Sequence, residues 1–202
     1  MEYYEYMHVR DLVWKILLKY HIASLPVNIV KLCKRLDIAV KYFDDDKRED
    51  GEAQIIGDDP IIFIRRTLSV ERKRFTIAHE LGHILLGHVG KYTLVNREPA
   101  PTDNPIEQQA NVFASRLLAP ACVLHEMRSF SAEEIIPLCG ISRQSAIFRL
   151  KRLMLLEQRE SYFMNRYGHG CFYISPLEVQ VRIQFDDFIR KAQKKKGIKR
   201  PK

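Results

Sequence analysis

An α+β architecture, mainly helical around a small sheet, is what this 202-residue sequence predicts. Three observations carry that reading. Apolar residues recur at the i, i+3, i+4, i+7 spacing of amphipathic helices in several separate stretches. Three short runs rich in β-branched and aromatic residues lie together between residues 38 and 64. The last of them leads directly into a long helical pattern, as in a small mixed domain.

Val9, Leu12, Val13, Ile16, Leu17 and Tyr20 supply one face of a first helix over residues 9–20. Pro26 is expected to open a second helix, its fixed φ suiting a first turn, with Ile29, Val30, Leu32, Cys33 and Leu36 as the apolar side. Residues 38–43 read as a strand, and a polar stretch follows. Residues 53–56 and 61–64 read as two more strands, separated by the turn signal Gly57-Asp58-Asp59-Pro60. Ser69 then stands before a long helical pattern as its N-cap. Pro105 suits the first turn of a further helix over residues 104–120.

The second half is also helical at its start. Ser131 with Glu134 three residues later forms a capping box. Cys139-Gly140-Ile141 makes a tight connection, and Ser142 caps a helix that turns Ala146, Leu150 and Leu153 inward. Two short helices about a glycine-bearing turn have the form of a helix-turn-helix. Arg143, Gln144 and Arg149 are its candidate nucleic-acid or partner contacts. The plainer alternative is a packed helical hairpin with solvated charges. Aromatic runs flanking Gly168-His169-Gly170 read as a β-hairpin, and residues 177–192 are partly alternating and partly helical. The expected organisation is a domain over residues 1–125, a helix-turn-helix-like region over 126–160, a hairpin and C-terminal segment over 161–189, and a disordered basic tail over 190–202.

Charge and cysteine usage exclude several classes. The formal net charge is +8, yet the segment from Arg190 to Lys202 alone carries eight positive residues and no acidic one. Residues 1–189 are therefore neutral, and the basicity is a tail rather than a nucleic-acid groove. A chain with 46% hydrophobic residues is not wholly disordered. No run approaches the ~18 apolar residues of a membrane-spanning helix. The N-terminus lacks the basic start and apolar core of a signal peptide. Cys33, Cys122, Cys139 and Cys171 include no C-x-x-C pair, which leaves free thiols and a cytoplasmic location as the expectation.

The chemistry is concentrated in residues 75–88, which contain His79-Glu80-Leu81-Gly82-His83. Two histidines four apart on a helix differ by about 40° of rotation, so both imidazoles face one side. That arrangement suits two ligands on one tetrahedral Zn2+. Glu80, next to the first ligand, is placed as a general base toward a water activated by the metal. By chance alone the pattern arises in about one 200-residue chain in a hundred, so its apolar setting of Phe75, Ala78, Leu85 and Leu86 matters. His88 lies about 140° around from His83 and reads as a helix-end residue rather than a ligand. A catalytic zinc takes a third protein ligand. Glu107 is the candidate, with Asn111 one turn later on the same face to orient a histidine by a hydrogen bond. The competing reading makes Asn104 the N-cap and Glu107 its capping-box partner. Asp103 is a further alternative ligand. Tyr92, Arg97 and His125 are candidates for stabilising an oxyanion.

These blocks resemble the ImmA/IrrE family of zinc metallo-endopeptidases. The likeness runs from Leu25-Pro26-Val27-Asn28, through the segment from Arg74 to His83 and that from Glu107 to Ala114, into Leu117-Leu118-Ala119-Pro120. It covers about residues 25–155. The resemblance implies a zincin-like domain, zinc held by His79, His83 and Glu107, and Glu80 as the catalytic base. It also implies an intracellular phage or mobile-element protein that cleaves a helix-turn-helix transcriptional repressor. Two readings from other classes stand beside it: a DNA-associated regulator, and a repressor-binding scaffold with a non-catalytic metal site.

Overall fold

The computed structural model describes residues 3–45, 49–90, 104–167 and 175–198. The chain forms two compact units, one of Met1–Val13 with Asn28–Leu118, the other of Trp14–Val27 with Ala119–Lys202. The first boundary between the units falls inside α1 (Tyr3–Lys19). Its buried Val9 and Val13 belong to the first unit, whereas the equally buried Trp14, Ile16 and Leu17 belong to the second.

In the first unit, α2 (Ile29–Arg35) begins three residues after Pro26. Pro26 does not open it. Asn28 does, because its side-chain oxygen accepts the Lys31 N–H at 3.0 Å and satisfies one of the free donors of the first turn. Three strands follow: β1 (Ala39–Phe43), β2 (Gly51–Ile56) and β3 (Asp59–Arg65). Their order across the sheet is β1-β3-β2. β2 and β3 form an antiparallel hairpin whose turn needs the positive φ of Gly57, +66°. β1 joins β3 in parallel, with Val40 opposite Ile62 and Tyr42 opposite Ile64. Ile62 and Ile64 are fully buried, so the central strand turns this pair of alternate side chains into the core.

α3 (Val70–Leu85) and α4 (Pro105–Leu118) complete the unit. Ser69 caps α3 by accepting the Arg72 N–H at 3.2 Å. Its first turn is tied to the sheet by Arg72, whose guanidinium lies 2.7 Å from Asp50 just before β2. Gly51 permits a close approach there, since a Cβ would meet Thr76 of α3 at 2.4 Å. Gly82 does the same between helices, because a Cβ would meet the Phe113 ring of α4 at 3.1 Å. Tyr6 of α1 lies under the Arg116 guanidinium of α4 at 4.3 Å.

The second unit is helical in all its described elements: α5 (Ala121–Glu126), α6 (Ala132–Cys139), α7 (Arg143–Tyr167), α8 (Pro176–Gln184) and α9 (Asp186–Lys195). The capping box at Ser131 forms, with the Glu134 N–H donating to Ser131 Oγ at 3.2 Å. Gly140 ends α6 in the left-handed region at φ +61°, which favours glycine. Gln184 donates from one amide to the Leu17 and Ile22 carbonyls at 2.8 and 2.7 Å, closing the C-terminal end of α1.

Two expectations for this half are corrected. The first arm of the hairpin is helix instead, because α7 runs unbroken to Tyr167. Glu157, Gln158, Arg159 and Glu160 are good helix formers, and no Gly or Pro interrupts the chain before Gly168. The second arm, residues 171–174, lies outside the described residues. The tail is not disordered from residue 190: α9 extends to Lys195 and buries Ile189 and Gln193. Asp186 and Asp187 at its start with Lys194 and Lys195 at its end complement the helix dipole. No described helix is long and apolar enough to cross a membrane.

Candidate metal centre

α3 and α4 bring three donor atoms to one point. His79 Nε2 lies 3.0 Å from His83 Nε2. Glu107 Oε2 lies 3.1 Å from His79 Nε2, and its Oε1 lies 3.4 Å from His83 Nε2. Ligands at zinc distances of ~2.0–2.2 Å on a tetrahedron stand about 3.3–3.6 Å apart, close to these separations. Asn104 does cap α4, accepting the Ile106 N–H at 3.0 Å, but the Glu107 carboxylate faces the histidines. The cap and the candidate ligand therefore coexist, with no capping box between them. Asp103 lies outside the described residues.

Hydrogen bonds fix both tautomers. Asn111 Oδ1 accepts from His79 Nδ1 at 3.1 Å, which leaves a lone pair on His79 Nε2. The second histidine is set by a longer relay. Gln109 donates its Nε2 hydrogen to Glu5 at 3.2 Å, so its Oε1 is an acceptor. It receives the hydrogen of His88 Nε2 at 3.2 Å. His88 Nδ1 then accepts from His83 Nδ1 at 3.1 Å, and His83 Nε2 is likewise left with a lone pair. Two imidazole lone pairs and a carboxylate thus face one another at contact distance. Such a set is repulsive by itself and fits a divalent cation.

Without a metal, hydrogen bonds from His79 and then His83 would hold the Glu107 carboxyl well below the usual carboxylate range, against the opposing effect of burial. They need Nε2 hydrogens that a bound cation would replace. Burial, and next to it the proximity of His83, lowers His88 below the ordinary histidine value. That suits its place in the relay as an acceptor at Nδ1. Glu80 follows His79 on α3 and is 5% exposed, an unusual position for a carboxylate with no chemical task.

The sequence reading placed His79, His83, Glu107 and Asn111 together, and the structure does the same. It did not find the role of His88, Gln109 or Glu5. Tyr92 and Arg97 lie outside the described residues. His125 is engaged in the second unit with Glu157 and Glu160. Among the candidate contacts of α7, Gln144 is exposed and Arg143 lies 3.3 Å from Glu133. Arg149 is 5% exposed, which removes it from any groove-reading surface. Its spacing explains this, since residues 146, 149 and 153 share a face and Ala146 and Leu153 are fully buried. The outer side of α7 instead shows Phe148, Met154, Leu155 and Tyr162, all more than half exposed.

A profile of the IrrE N-terminal-like domain, peptidase family M78, matches residues 33–151. The span includes every residue of the site from His79 to Asn111. No curated protein matches the chain.

Proposed function

The chain belongs to the M78 peptidase family of IrrE N-terminal-like domains, and from its site we infer a zinc-dependent endopeptidase acting on a regulatory protein. The observation that carries this reading is the triangle of His79, His83 and Glu107, whose tautomers are set so that both Nε2 atoms offer lone pairs. A structural zinc is normally closed by four protein ligands, whereas three converge here among the described residues.

Zinc, when bound, supplies Lewis acidity toward a scissile carbonyl and toward water. The chain supplies the rest. Asn111 and His88 hold the two imidazoles in their ligating orientation. Glu107 contributes the carboxylate that faces both Nε2 atoms. Glu80 takes the proton of the attacking water and returns it to the leaving amine, so that one buried carboxylate serves both halves of peptide hydrolysis.

The proposed substrate is a helix-turn-helix repressor, in keeping with the family resemblance, and the proposed setting is the cytoplasm. The outward Phe148, Leu155 and Tyr162 of α7 support a protein partner, because they give an apolar component to a face that also carries the exposed Lys151 and Arg166. A peptide library covering helix-turn-helix sequences, read by mass spectrometry, tests the reading. Wild type should cut it, and Glu80→Gln should retain zinc and cut nothing. Equal cleavage by both would remove Glu80 as the base. No cleavage by either, with tight repressor binding, would establish the scaffold reading instead.

A further inference from the structure

A second cluster of ligand-type side chains lies wholly in the other unit. His125 sits on α5 and is 7% exposed. Its Nε2 contacts Glu157 Oε1 and lies 3.2 Å from Glu160 Oε2. The two glutamates are three residues apart on α7 and therefore share a face. All three donor atoms fall within 4.8 Å of one another. Phe130 packs edge-on to the imidazole with ring centroids 6.1 Å apart, which helps to fix the ring's orientation.

We propose that His125, Glu157 and Glu160 bind a second divalent ion of the zinc type, distinct from the centre on α3 and α4. The plain alternative is an imidazolium paired with two carboxylates. An Nε2 carries at most one hydrogen, and here two carboxylate oxygens converge on the same nitrogen. One hydrogen serves one of them well and the other poorly. A divalent ion accepts the Nε2 lone pair and balances both carboxylates at once. An imidazole in the donor set favours zinc or a neighbouring first-row metal over magnesium or calcium.

The ion would act as a clasp. α5 is only six residues long and has no side-chain N-cap, so little within it holds its shape. A metal shared with α7 would fasten it to the 25-residue helix beside it.

Zinc content by elemental analysis after dialysis against zinc tests this, in four full-length proteins. These are wild type, Glu107→Ala, the pair Glu157→Gln with Glu160→Gln, and all three substitutions together. The glutamines keep size and acceptor oxygens, so His125 retains hydrogen-bond partners and the fold is checked by circular dichroism. The expected contents are about two ions, one, one and none per chain. Added zinc should also raise the Tm of Glu107→Ala and leave that of the triple variant unmoved. If Glu107→Ala binds no zinc, or binds it as well after both glutamine substitutions, the second site does not exist. If wild type and Glu107→Ala both hold one ion and the glutamine pair holds none, the second site stands and the first ligand set is wrong.

Discussion

Replacing Gly82 by alanine should cost zinc affinity without the stability gain that alanine brings to an ordinary helix interior. Gly82 lies inside α3 between the two histidines, one residue before His83. Alanine there would be worth about 1 kcal/mol on propensity alone. The new Cβ would stand 3.1 Å from Phe113 Cδ1 and 3.2 Å from both Cβ and Cγ of the same residue. Carbon atoms settle at about 3.5–4.0 Å, so Phe113 must retreat by roughly 0.4 Å. Phe113 is fully buried, and overpacking of this kind costs about 1–3 kcal/mol. The sum is a net change of about 0–2 kcal/mol in the destabilising direction. Because Phe113 and Glu107 belong to one helix, the retreat of α4 draws the carboxylate from the histidines, and zinc affinity should fall about tenfold. Urea unfolding gives the first quantity and competition with a chelator the second. Phe113→Leu removes the ring but keeps Cβ and Cγ, so in that background Gly82→Ala should recover only part of its gain of about 1 kcal/mol. A Gly82→Ala protein that is more stable than wild type by that amount, with unchanged zinc affinity, would refute the argument that this glycine sets the helix spacing.

Two further outcomes follow from the same geometry and from the core. His88→Ala and Gln109→Leu should each weaken zinc binding by about 10–100-fold, because each breaks the relay that leaves the His83 Nε2 lone pair available. Chelator competition measures this, and an unchanged affinity in both would show that the relay does not fix the tautomer. Burial pushes the Cys33 thiol up to about 12, so the folded chain keeps a proton that the unfolded chain releases from pH ~9 upward. Its contribution to stability is therefore complete below pH ~9 and is lost as pH rises toward 12. Denaturant titrations of wild type and Cys33→Ala above pH ~9 should show the steeper loss in wild type, and parallel slopes would contradict it.

The candidate ligands were legible because their geometry depends on a single regular helix at a time. His79 and His83 need only the 3.6-residue turn, and Glu107 with Asn111 needs it once more. His88 was not, since extrapolating helical rotation beyond the helix gives the wrong side. α3 stops at Leu85, Gly87 takes φ +71°, and the His88 N–H turns back to the His83 carbonyl at 2.9 Å. Glu5 was invisible for another reason: it joins Gln109 across 104 residues of chain, and only tertiary packing does that. The basic C-terminal run shows the limit of reading charge without periodicity. Its first residues are the end of α9, where a buried Ile189 and Gln193 four residues apart mark a packed face.

The order β1-β3-β2 has a consequence for how the protein becomes itself. The central strand is the last of the three in the chain, so β1 emerges from synthesis with its only partner among the described strands still unmade. β2 and β3 can close locally as a hairpin, but the parallel pairing of β1 must reach across that hairpin. Ser69 begins α3 four residues after β3 ends, so the histidines emerge just as the sheet becomes able to close. Glu107 comes still later. A nascent chain would therefore carry the two imidazoles of the candidate centre before it owns the carboxylate that faces them, and a metal bound by all three would be taken up only at the end of assembly.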